Sequence, residues 1–351
     1  MPNILKKIGL KGLSHALELA GRSDDFRRKI NEFVSEDFFY NEKYYRNLID
    51  SIDPERGDRF FTSLRRKLYS SPYWNYGPAR LNKLWSTVFS RVSPYLTDFK
   101  SFCEVGCGKH NPVGSSLVMY LNGADDCYFM DMDAMDWPRA TEALNDLTAA
   151  ILRDPPAWLF LPQNQDIFEK RLGELKFYDS IAKQDDSILR HESFHFSNNR
   201  VEEAGIPADS VDFLTSQAVL EYFRPFDAVM KVIHDTMSPG AVSYHMIDFR
   251  DHRHFRRHMP FGFFHYLTED LEGRGLIELL EMGVTMNMLR YSEMEKMLRD
   301  VGFEILEFTP VERQEVPAEV LGRLKGRYAS LPLSDLEILR AWCVIRKPAK
   351  P

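Results

Sequence analysis

The stretch from Ser101 to Asp133 constrains the fold more than any other part of the chain. An apolar strand-forming segment leads into Gly106 and Gly108, a helix-forming segment follows, and a second strand ends at Asp131. Two glycines directly after a strand let the backbone turn sharply and approach a ligand closely. A carboxylate at the tip of the neighbouring strand can accept hydrogen bonds from both hydroxyls of a ribose. The stretch therefore predicts parallel strands with a nucleoside-binding crevice at their carboxyl ends.

The spacing of the glycines argues against a dinucleotide as the ligand. A dinucleotide-binding turn has the pattern Gly-x-Gly-x-x-Gly and opens onto a helix whose amino terminus faces a pyrophosphate. In this chain Asn111 stands where the third glycine would be. Glu104, two residues before Gly106, would repel a phosphate but suits a cationic ligand. An ordinary connection between a strand and a helix, with no ligand, remains the alternative at this point.

The pattern Glu104-x-Gly106-x-Gly108 resembles the first motif of class I S-adenosylmethionine-dependent methyltransferases. Residues 207–222 and 238–240 look like the fourth- and fifth-strand motifs of the same family, and residues 290–305 resemble its passage into the sixth strand. The resemblance implies an α/β, Rossmann-like fold with a seven-stranded, mostly parallel sheet, helices on both faces and an antiparallel last strand. His110 departs from the family pattern, which often has a third alternating glycine there.

The resemblance implies S-adenosyl-L-methionine as the cofactor and assigns its contacts. Glu104, Gly106 and Gly108 would line the methionine and ribose side, and Asp131 would bind the ribose hydroxyls. The other implied contacts are Met132, Asn199, Arg200 and Val201 around the adenine, and Gln217 and Ala218 facing the sulfonium. The family usually has an acid where Asn199 or Arg200 stands.

Five of the ten histidines lie within 21 residues after the predicted fifth strand, at positions 245, 252, 254, 258 and 265. Because an alcohol acceptor benefits from a general base, we expect His252, oriented by Asp251 or Asp248, to serve as that base. Candidate contacts to the acceptor are Tyr222, Arg250, His265 and Arg290. We predict no metal, although the same histidines could bind a divalent ion. Asp248 and Arg250 could also form a structural ion pair beside histidines that only pack.

These features predict a methyltransferase that acts on a hydroxyl of a small molecule. The sequence Asp-Phe-Arg-Asp-His at 248–252, with residues 261–266 and 287–291, looks like methyltransferases of surface-polysaccharide and natural-product pathways. The predicted acceptor is therefore a sugar-containing metabolite or a natural-product intermediate. One alternative has the same fold but a nitrogen, carbon or phosphate acceptor, and another is a non-catalytic scaffold that binds the cofactor or a partner protein.

The chain divides by pattern into a helical cap region at 1–96 and a methyltransferase domain at 97–351. Within that domain a helical insertion spans about 138–193, either over the ligand crevice as a lid or elsewhere as decoration. Met1–Gly21 is basic and amphipathic, and we expect it to dock on its own domain or a partner subunit, with a membrane surface as the alternative.

Composition limits the function classes. A net charge of −7 argues against broad non-specific binding to nucleic acid, which usually shows as a basic surplus. The four cysteines lack paired metal-ligand spacing, so we expect free buried thiols in a reducing compartment. The sequence contains no run of 18 apolar residues, so we predict no membrane span. The expectation is a cytoplasmic protein with a small-molecule acceptor; whether it forms a homo-oligomer is open.

Overall fold

The computed structural model describes residues 77–108, 111–133, 135, 137–175, 191–256 and 259–349. The chain forms two compact units, Met1–Lys83 and Leu84–Pro351. Most of the predicted cap region, including the amphipathic segment Met1–Gly21, lies outside the described residues. So do His110, His258 and residues 176–190 of the predicted insertion.

A seven-stranded sheet forms the centre of the second unit. Its strands are β1 (Ser101–Val105), β2 (Asp126–Met130), β3 (Phe194–Ser197), β4 (Val211–Gln217), β5 (Met237–Asp248), β6 (Glu304–Arg313) and β7 (Ile338–Arg346). Their order across the sheet is β3-β2-β1-β4-β5-β7-β6. β1 to β5 run parallel, and β7 is antiparallel to both of its neighbours. The predicted fold, with its antiparallel last strand, is confirmed.

The strand order places a topological switch point between β1 and β4. The chain builds outward from β1 through β2 to β3, and then returns to the other side of β1 to continue with β4 and β5. Loops that leave the carboxyl ends of two such strands diverge to opposite faces of the sheet, and a crevice opens between them. The switch point therefore locates the crevice beside the glycine turn.

The described helices are α1 (Pro78–Val92), α2 (Gly114–Leu121), α3 (Trp137–Arg153), α4 (Gln165–Leu175), α5 (Phe226–Thr236), α6 (Arg253–Arg256), α7 (Leu276–Glu281), α8 (Tyr291–Val301), α9 (Ala318–Leu321) and α10 (Leu333–Leu336). Short 3-10 helices occur at Pro155–Trp158, Pro162–Asn164, Val201–Glu203, Leu220–Tyr222, Gly262–Thr268 and Gly326–Ser330.

Side chains along β1 and β4 alternate between the two faces of the sheet. Phe102 and Phe213 make edge contacts with Trp85 of α1 on one face. Cys103 and Leu214, one residue later on each strand, join a buried cluster that includes residues of α5 and α8. Because neighbouring residues on a strand point to opposite faces, both faces of the sheet are covered by helices.

The described part of the predicted insertion packs at the end of the sheet where the parallel strands begin. Asn122, just after α2, donates from Nδ2 to the carbonyl of Trp158 at 2.9 Å. Arg171 of α4 donates to the carbonyl of Ala124 at 2.6 Å, and Ala124 lies two residues before β2. This end of the sheet is opposite the carboxyl ends of the parallel strands. The contacts of Trp158 and Arg171 therefore lie away from the end of the sheet where the ligand crevice is expected.

A second hydrophobic cluster lies beyond the carboxyl end of β5. We call it the edge cluster; it contains Phe264, Tyr266, Leu267, Val284, Met286, Met288, Val316, Val320, Tyr328, Leu336 and Leu339. All of these residues except Leu339, which lies on β7, come from the segments that join β5 to α8 and β6 to β7. Two connections that are distant in sequence thus build one wall beside the crevice.

The structure also bears on the expected state of the cysteines and on membrane-spanning helices. Cys103, Cys107, Cys127 and Cys343 are free and buried, as predicted, and burial raises the pKa of each thiol. Among the described helices, none is both long enough and apolar enough to cross a membrane.

Candidate active site

The glycine turn after β1 closes against the loop that follows β4. Gly106 and Gly108 have φ values of 74° and 76°, in the left-handed region that favours glycine. The N–H groups of Gly106 and Cys107 both donate to the carbonyl of Met130, at 2.9 and 3.0 Å. A Cβ added to Gly106 would lie 2.3 Å from Cγ2 of Val219. Glycine is therefore required here by backbone conformation and by a close approach between the two crevice loops.

Asp131 follows β2 at the same edge and organises the turn. Its Oδ2 accepts from the N–H of Gly108 at 2.8 Å, and its Oδ1 accepts from the N–H of Asp133 at 2.9 Å. Asn198 donates to the backbone carbonyl of Asp131 at 2.7 Å. Each carboxylate oxygen keeps a second lone pair for a ligand hydroxyl. Met132, the next residue, is 66% exposed and presents an apolar surface of the kind on which an adenine packs.

Glu104 is a buried acid whose two oxygens differ in their contacts. Its Oε1 accepts from the hydroxyl of Ser115 at 3.0 Å, whereas Oε2 is buried and makes no hydrogen bond to any residue that the structure describes. Burial raises the pKa of Glu104 to about 8; the Ser115 hydrogen bond lowers it and the charge of Asp131 raises it. A buried carboxyl with an open acceptor atom fits a ligand that carries positive charge. The residues at the turn thus fit S-adenosylmethionine, which has a sulfonium and an ammonium group.

The other residues assigned to the cofactor lie at the carboxyl ends of β3 and β4. Asn199 donates to the hydroxyl of Ser197 at 3.2 Å, and Arg200 is exposed just before the 3-10 turn. Val201 is buried in the core, so its side chain packs inward. At the end of β4, Gln217 has a buried Nε2 that finds no hydrogen-bond partner among the residues described, and Ala218 has a φ of 54°.

A chain of polar contacts links three residues on the acceptor side. Nε2 of His252 lies 3.5 Å from Oδ2 of Asp248, and Nδ1 of His252 makes a short hydrogen bond with the hydroxyl of Tyr222. Arg250 holds the same carboxylate through its Nε at 2.9 Å. Burial alone would raise the pKa of Asp248, but hydrogen bonds from Arg250 and the nearby His252 ring hold it below its usual range. Of the two acids expected to orient His252, Asp248 is the one that the contacts bring to its ring.

Glu221 is a functional candidate that sequence reasoning missed. It is 1% exposed, and within the described part of the chain neither carboxyl oxygen has a hydrogen-bond partner. Burial raises the pKa of Glu221 well above its usual range, and the neighbouring charge of Asp248 adds to the effect. The only sequence signal is an acid between Leu220 and Tyr222 directly after a buried strand. That signal could not have shown that the carboxyl lies near Asp248 on another strand.

The histidines that cluster in sequence separate in space. His245 lies within the sheet between the hydroxyls of Ser216 and Ser243, at 2.7 and 3.1 Å, and burial lowers its pKa to about 3. His265 stacks on Phe261 and lies 3.7 Å from Glu269. Of these histidines, the contacts single out His252 as the ring joined to Tyr222 and Asp248. Among the described residues, no group of three or more His, Cys, Asp or Glu side chains is arranged to hold a metal ion.

The contacts of Asp251 and Arg290 do not match their expected roles, which were to orient His252 and to contact the acceptor. Asp251 is fully buried and pairs with Arg253 at 2.7 Å. Arg290 is also fully buried and donates to Tyr266 at 2.6 Å and to three carbonyls at 335–338. A guanidinium enclosed in this way clamps the edge cluster to β7 and does not reach an acceptor, so we correct both assignments to structural roles. The partners of Arg290 are distant in sequence, whereas Asp251 pairs with Arg253, two residues later.

Part of the chain is similar to a known protein family. A family model for a methyltransferase domain matches residues 77–307. No curated protein sequence matches the chain.

Similar solved structures include an S-adenosylmethionine-dependent methyltransferase from Mesorhizobium loti, at 14% identity and a TM-score of 0.40, covering 74% of this chain and 96% of that one. The cyclase SpnF is similar at 13% identity and a TM-score of 0.41, covering 77% and 81%. A CurJ carbon methyltransferase is similar at 12% identity and a TM-score of 0.38, covering 77% and 55%.

The family match spans well over half of the chain and includes the glycine turn, Asp131 and the first five strands. The seven-stranded order and the antiparallel β7 agree with the fold that the glycine motif implied. The chain therefore belongs to the class I methyltransferases, and S-adenosylmethionine is its cofactor.

Proposed function

We propose that the protein transfers a methyl group to a hydroxyl oxygen of a small molecule, with Tyr222, His252 and Asp248 as the path for the acceptor's proton. The observation that carries the proposal is the contact chain from the half-exposed Tyr222 through His252 to the buried Asp248. Bound S-adenosylmethionine supplies an electrophilic methyl group on a sulfonium that leaves as a neutral thioether. An oxygen nucleophile gains most from a base, because an alcohol holds its proton until late in the reaction.

The contacts favour one protonation pattern for this chain. A carboxylate only accepts hydrogen bonds, so His252 presents Nε2–H to Asp248. Its Nδ1 then accepts from the Tyr222 hydroxyl, whose oxygen keeps lone pairs for the acceptor. As the new oxygen–carbon bond forms, the acceptor's proton passes to the Tyr222 oxygen and the Tyr222 proton moves to Nδ1. The resulting imidazolium is stabilised by the negative charge of Asp248.

The remaining assignments divide the crevice between the cofactor and the acceptor. Glu104, Gly106 and Gly108 would hold the methionine and ribose portions, and Asp131 would accept from the ribose hydroxyls. The proposed adenine contacts are Met132, Asn199 and Arg200, and the residues proposed to face the sulfonium are Gln217 and Ala218. Arg250 acts in this scheme through Asp248, as a positioning residue.

The test is turnover with paired acceptors. Hydroxylated compounds, including sugars and phenols, would be assayed beside their amine counterparts, with release of S-adenosylhomocysteine as the readout. We expect methylation of hydroxyls, and a decrease in kcat of about 10²- to 10⁴-fold in His252→Gln with cofactor affinity unchanged. His195→Gln is a matched control, because that ring lies at the exposed edge strand and pairs with Asp126. Preference for the amines, or full activity of His252→Gln, would contradict the proposal.

A further inference from the structure

A pocket of about 270 Å³ lies next to the turn that carries Tyr222. Phe223 and Arg224, the two residues that follow Tyr222 in the chain, line it. Asn287, also in its wall, donates to the carbonyls of Leu220 at 2.8 Å and Phe223 at 3.3 Å. Because two residues of chain span at most about 7 Å, the pocket and the proposed proton path are neighbours.

One wall of the pocket is apolar and comes from four separate parts of the chain. Its members are Phe223, Phe226, Leu279, Met288, Leu289 and Met297. A volume near the lower end of the usual range of about 300–1,000 Å³ for small-molecule sites suits a single ring or a short aliphatic group.

The charged residues of the pocket differ in whether they have partners. Among the described residues, the Arg224 guanidinium has no hydrogen bond or ion pair, and its Nη1 is buried. Lys325 is exposed and its ammonium group is likewise unpaired within the described part of the chain. Two glutamates in the wall are already engaged: Glu269 binds Arg253, and Glu272 accepts from the backbone of Arg327 at 2.8 Å. The first turn of α5 adds one exposed acid, Asp227.

An unpaired guanidinium in a partly closed site is costly to the folded protein. Burial lowers the pKa of Arg224, with no carboxylate opposing the effect. A buried charge without a partner is destabilising, and each such group calls for an explanation. A ligand that carries a negative charge would supply the missing partner, and arginine is well shaped for carboxylate and phosphate oxygens.

We propose that this site, the Arg224 pocket, binds a carboxylate or phosphate group of the methyl acceptor, while its apolar wall holds the hydrocarbon body. The inference rests on the proposed function, since it describes the acceptor of that same reaction. It narrows the acceptor to an anionic small molecule whose hydroxyl reaches Tyr222 while its anion contacts Arg224.

The first experiment measures binding without the cofactor and without turnover. Protein with ¹³C-methyl methionine would be titrated with benzoate, phenyl phosphate and the neutral benzamide. The methyl signals of Met288 and Met297 would be assigned by substitution with leucine. We expect the two anions to shift both signals and to bind about 10- to 100-fold more tightly than benzamide. The stronger of the two anions identifies carboxylate or phosphate as the preferred group.

Two variants separate anion binding from structure. Arg224→Leu should remove the preference for anions, whereas Arg299→Leu, which removes an exposed arginine paired with Glu295 on α8, should keep it. Arg224→Leu should also leave the melting temperature unchanged or raised, because it removes an uncompensated charge. Equal binding of benzoate and benzamide, an unchanged preference in Arg224→Leu, or failure of both anions to shift either signal at millimolar concentration would overturn the proposal.

A second experiment distinguishes this inference from the proposed function. Hydroxylated acceptors would be compared as carboxylate and amide pairs. For the carboxylate, Arg224→Leu should raise KM about 10- to 100-fold with little change in kcat. Turnover of carboxylate and amide with the same KM would refute the Arg224 pocket and leave methyl transfer standing. Absence of turnover with every hydroxyl would refute the proposed function, while the binding experiment would still decide the pocket.

Discussion

Glu104 makes the folded protein's stability depend on pH in a way that one substitution can isolate. Its pKa rises from an ordinary value of 4.5 to about 8 in the folded protein. Between these values the folded state keeps a proton that the unfolded chain releases, so the free energy of unfolding falls as pH rises. The stabilisation is complete below about pH 4.5 and lost by about pH 8.

The magnitude follows from the two pKa values. Each pKa unit corresponds to about 1.4 kcal/mol, so ionisation of Glu104 opposes folding by up to about 5 kcal/mol above pH 8. Glutamine has nearly the shape of a protonated glutamic acid. Glu104→Gln should therefore match the wild type near pH 4.5 and be more stable by several kcal/mol at pH 8.5.

The assay is urea unfolding of both proteins at half-unit steps from pH 4.5 to 8.5, followed by circular dichroism. Subtracting the two profiles removes the contribution of every other titrating group, including Glu221. Glu202→Gln, at an exposed position, is the matched control and should follow the wild type. If the Glu104→Gln and wild-type profiles are parallel over this range, the carboxyl is not held in the buried environment described above.

The same substitution tests the match between Glu104 and a cationic cofactor. Binding of a positive group favours the ionised carboxyl, so cofactor affinity of the wild type should increase with pH up to about 8, with release of a proton. Calorimetric titration in two buffers of different ionisation enthalpy measures that proton. Glu104→Gln should bind more weakly and release none, and an equal proton count in both proteins would assign the release elsewhere.

Three further substitutions test other parts of the site. Asp131→Ala should weaken S-adenosylmethionine binding at least about tenfold in calorimetric titration, since it removes the proposed acceptor for the ribose hydroxyls and the partner of Gly108. Unchanged affinity would place the ribose elsewhere. Arg290→Met should lower the free energy of unfolding by about 3 kcal/mol or more, and a smaller loss in urea unfolding would show that the clamped carbonyls find other donors. Asp248→Asn should reduce kcat by about 10²-fold or more. Glu221→Gln should keep most activity at neutral pH, because glutamine resembles the protonated acid. Equal losses of kcat in steady-state assays would contradict different charge states for Asp248 and Glu221.

The glycine turn and the place of Asp131 at the same end of the sheet could be predicted because their signals are local. The left-handed turn at Gly106 and Gly108 needs glycine wherever it occurs, and Asp131 follows its strand directly. What the sequence did not reveal is that Asp131 also holds the turn through the Gly108 N–H. That bond connects loops 23 residues apart, and neither loop alone carries a sign of it.

The acceptor half was harder to predict because its partners are far apart in sequence. Arg290 was a candidate acceptor contact because residues 287–291 resemble other methyltransferases, but its oxygen partners come from residues 335–338 and Tyr266. The sequence left Asp251 and Asp248 as alternative partners of His252, and the carboxylate near the ring belongs to Asp248, four residues earlier. Proximity along the chain could not choose between these acids, because the strand end and the following turn direct neighbouring side chains differently.

The two neighbouring carboxyls of Asp248 and Glu221 differ in pKa for reasons that the fold supplies. Asp248 receives hydrogen bonds from Arg250 and lies 3.5 Å from the His252 ring, and these contacts hold its pKa below the usual range. Glu221 has no hydrogen-bond partner among the described residues, and burial raises its pKa well above the usual range. If both were charged, their repulsion would raise the cost of burial; if both were neutral, the proposed imidazolium would lack a counter-ion. Pairs of acids whose surroundings separate their pKa values commonly mark distinct roles in a reaction. The division of charge leaves the negative end of the proposed proton path at Asp248, on the far side of His252 from Tyr222, so a proton that enters at the phenol is drawn inward and away from the crevice.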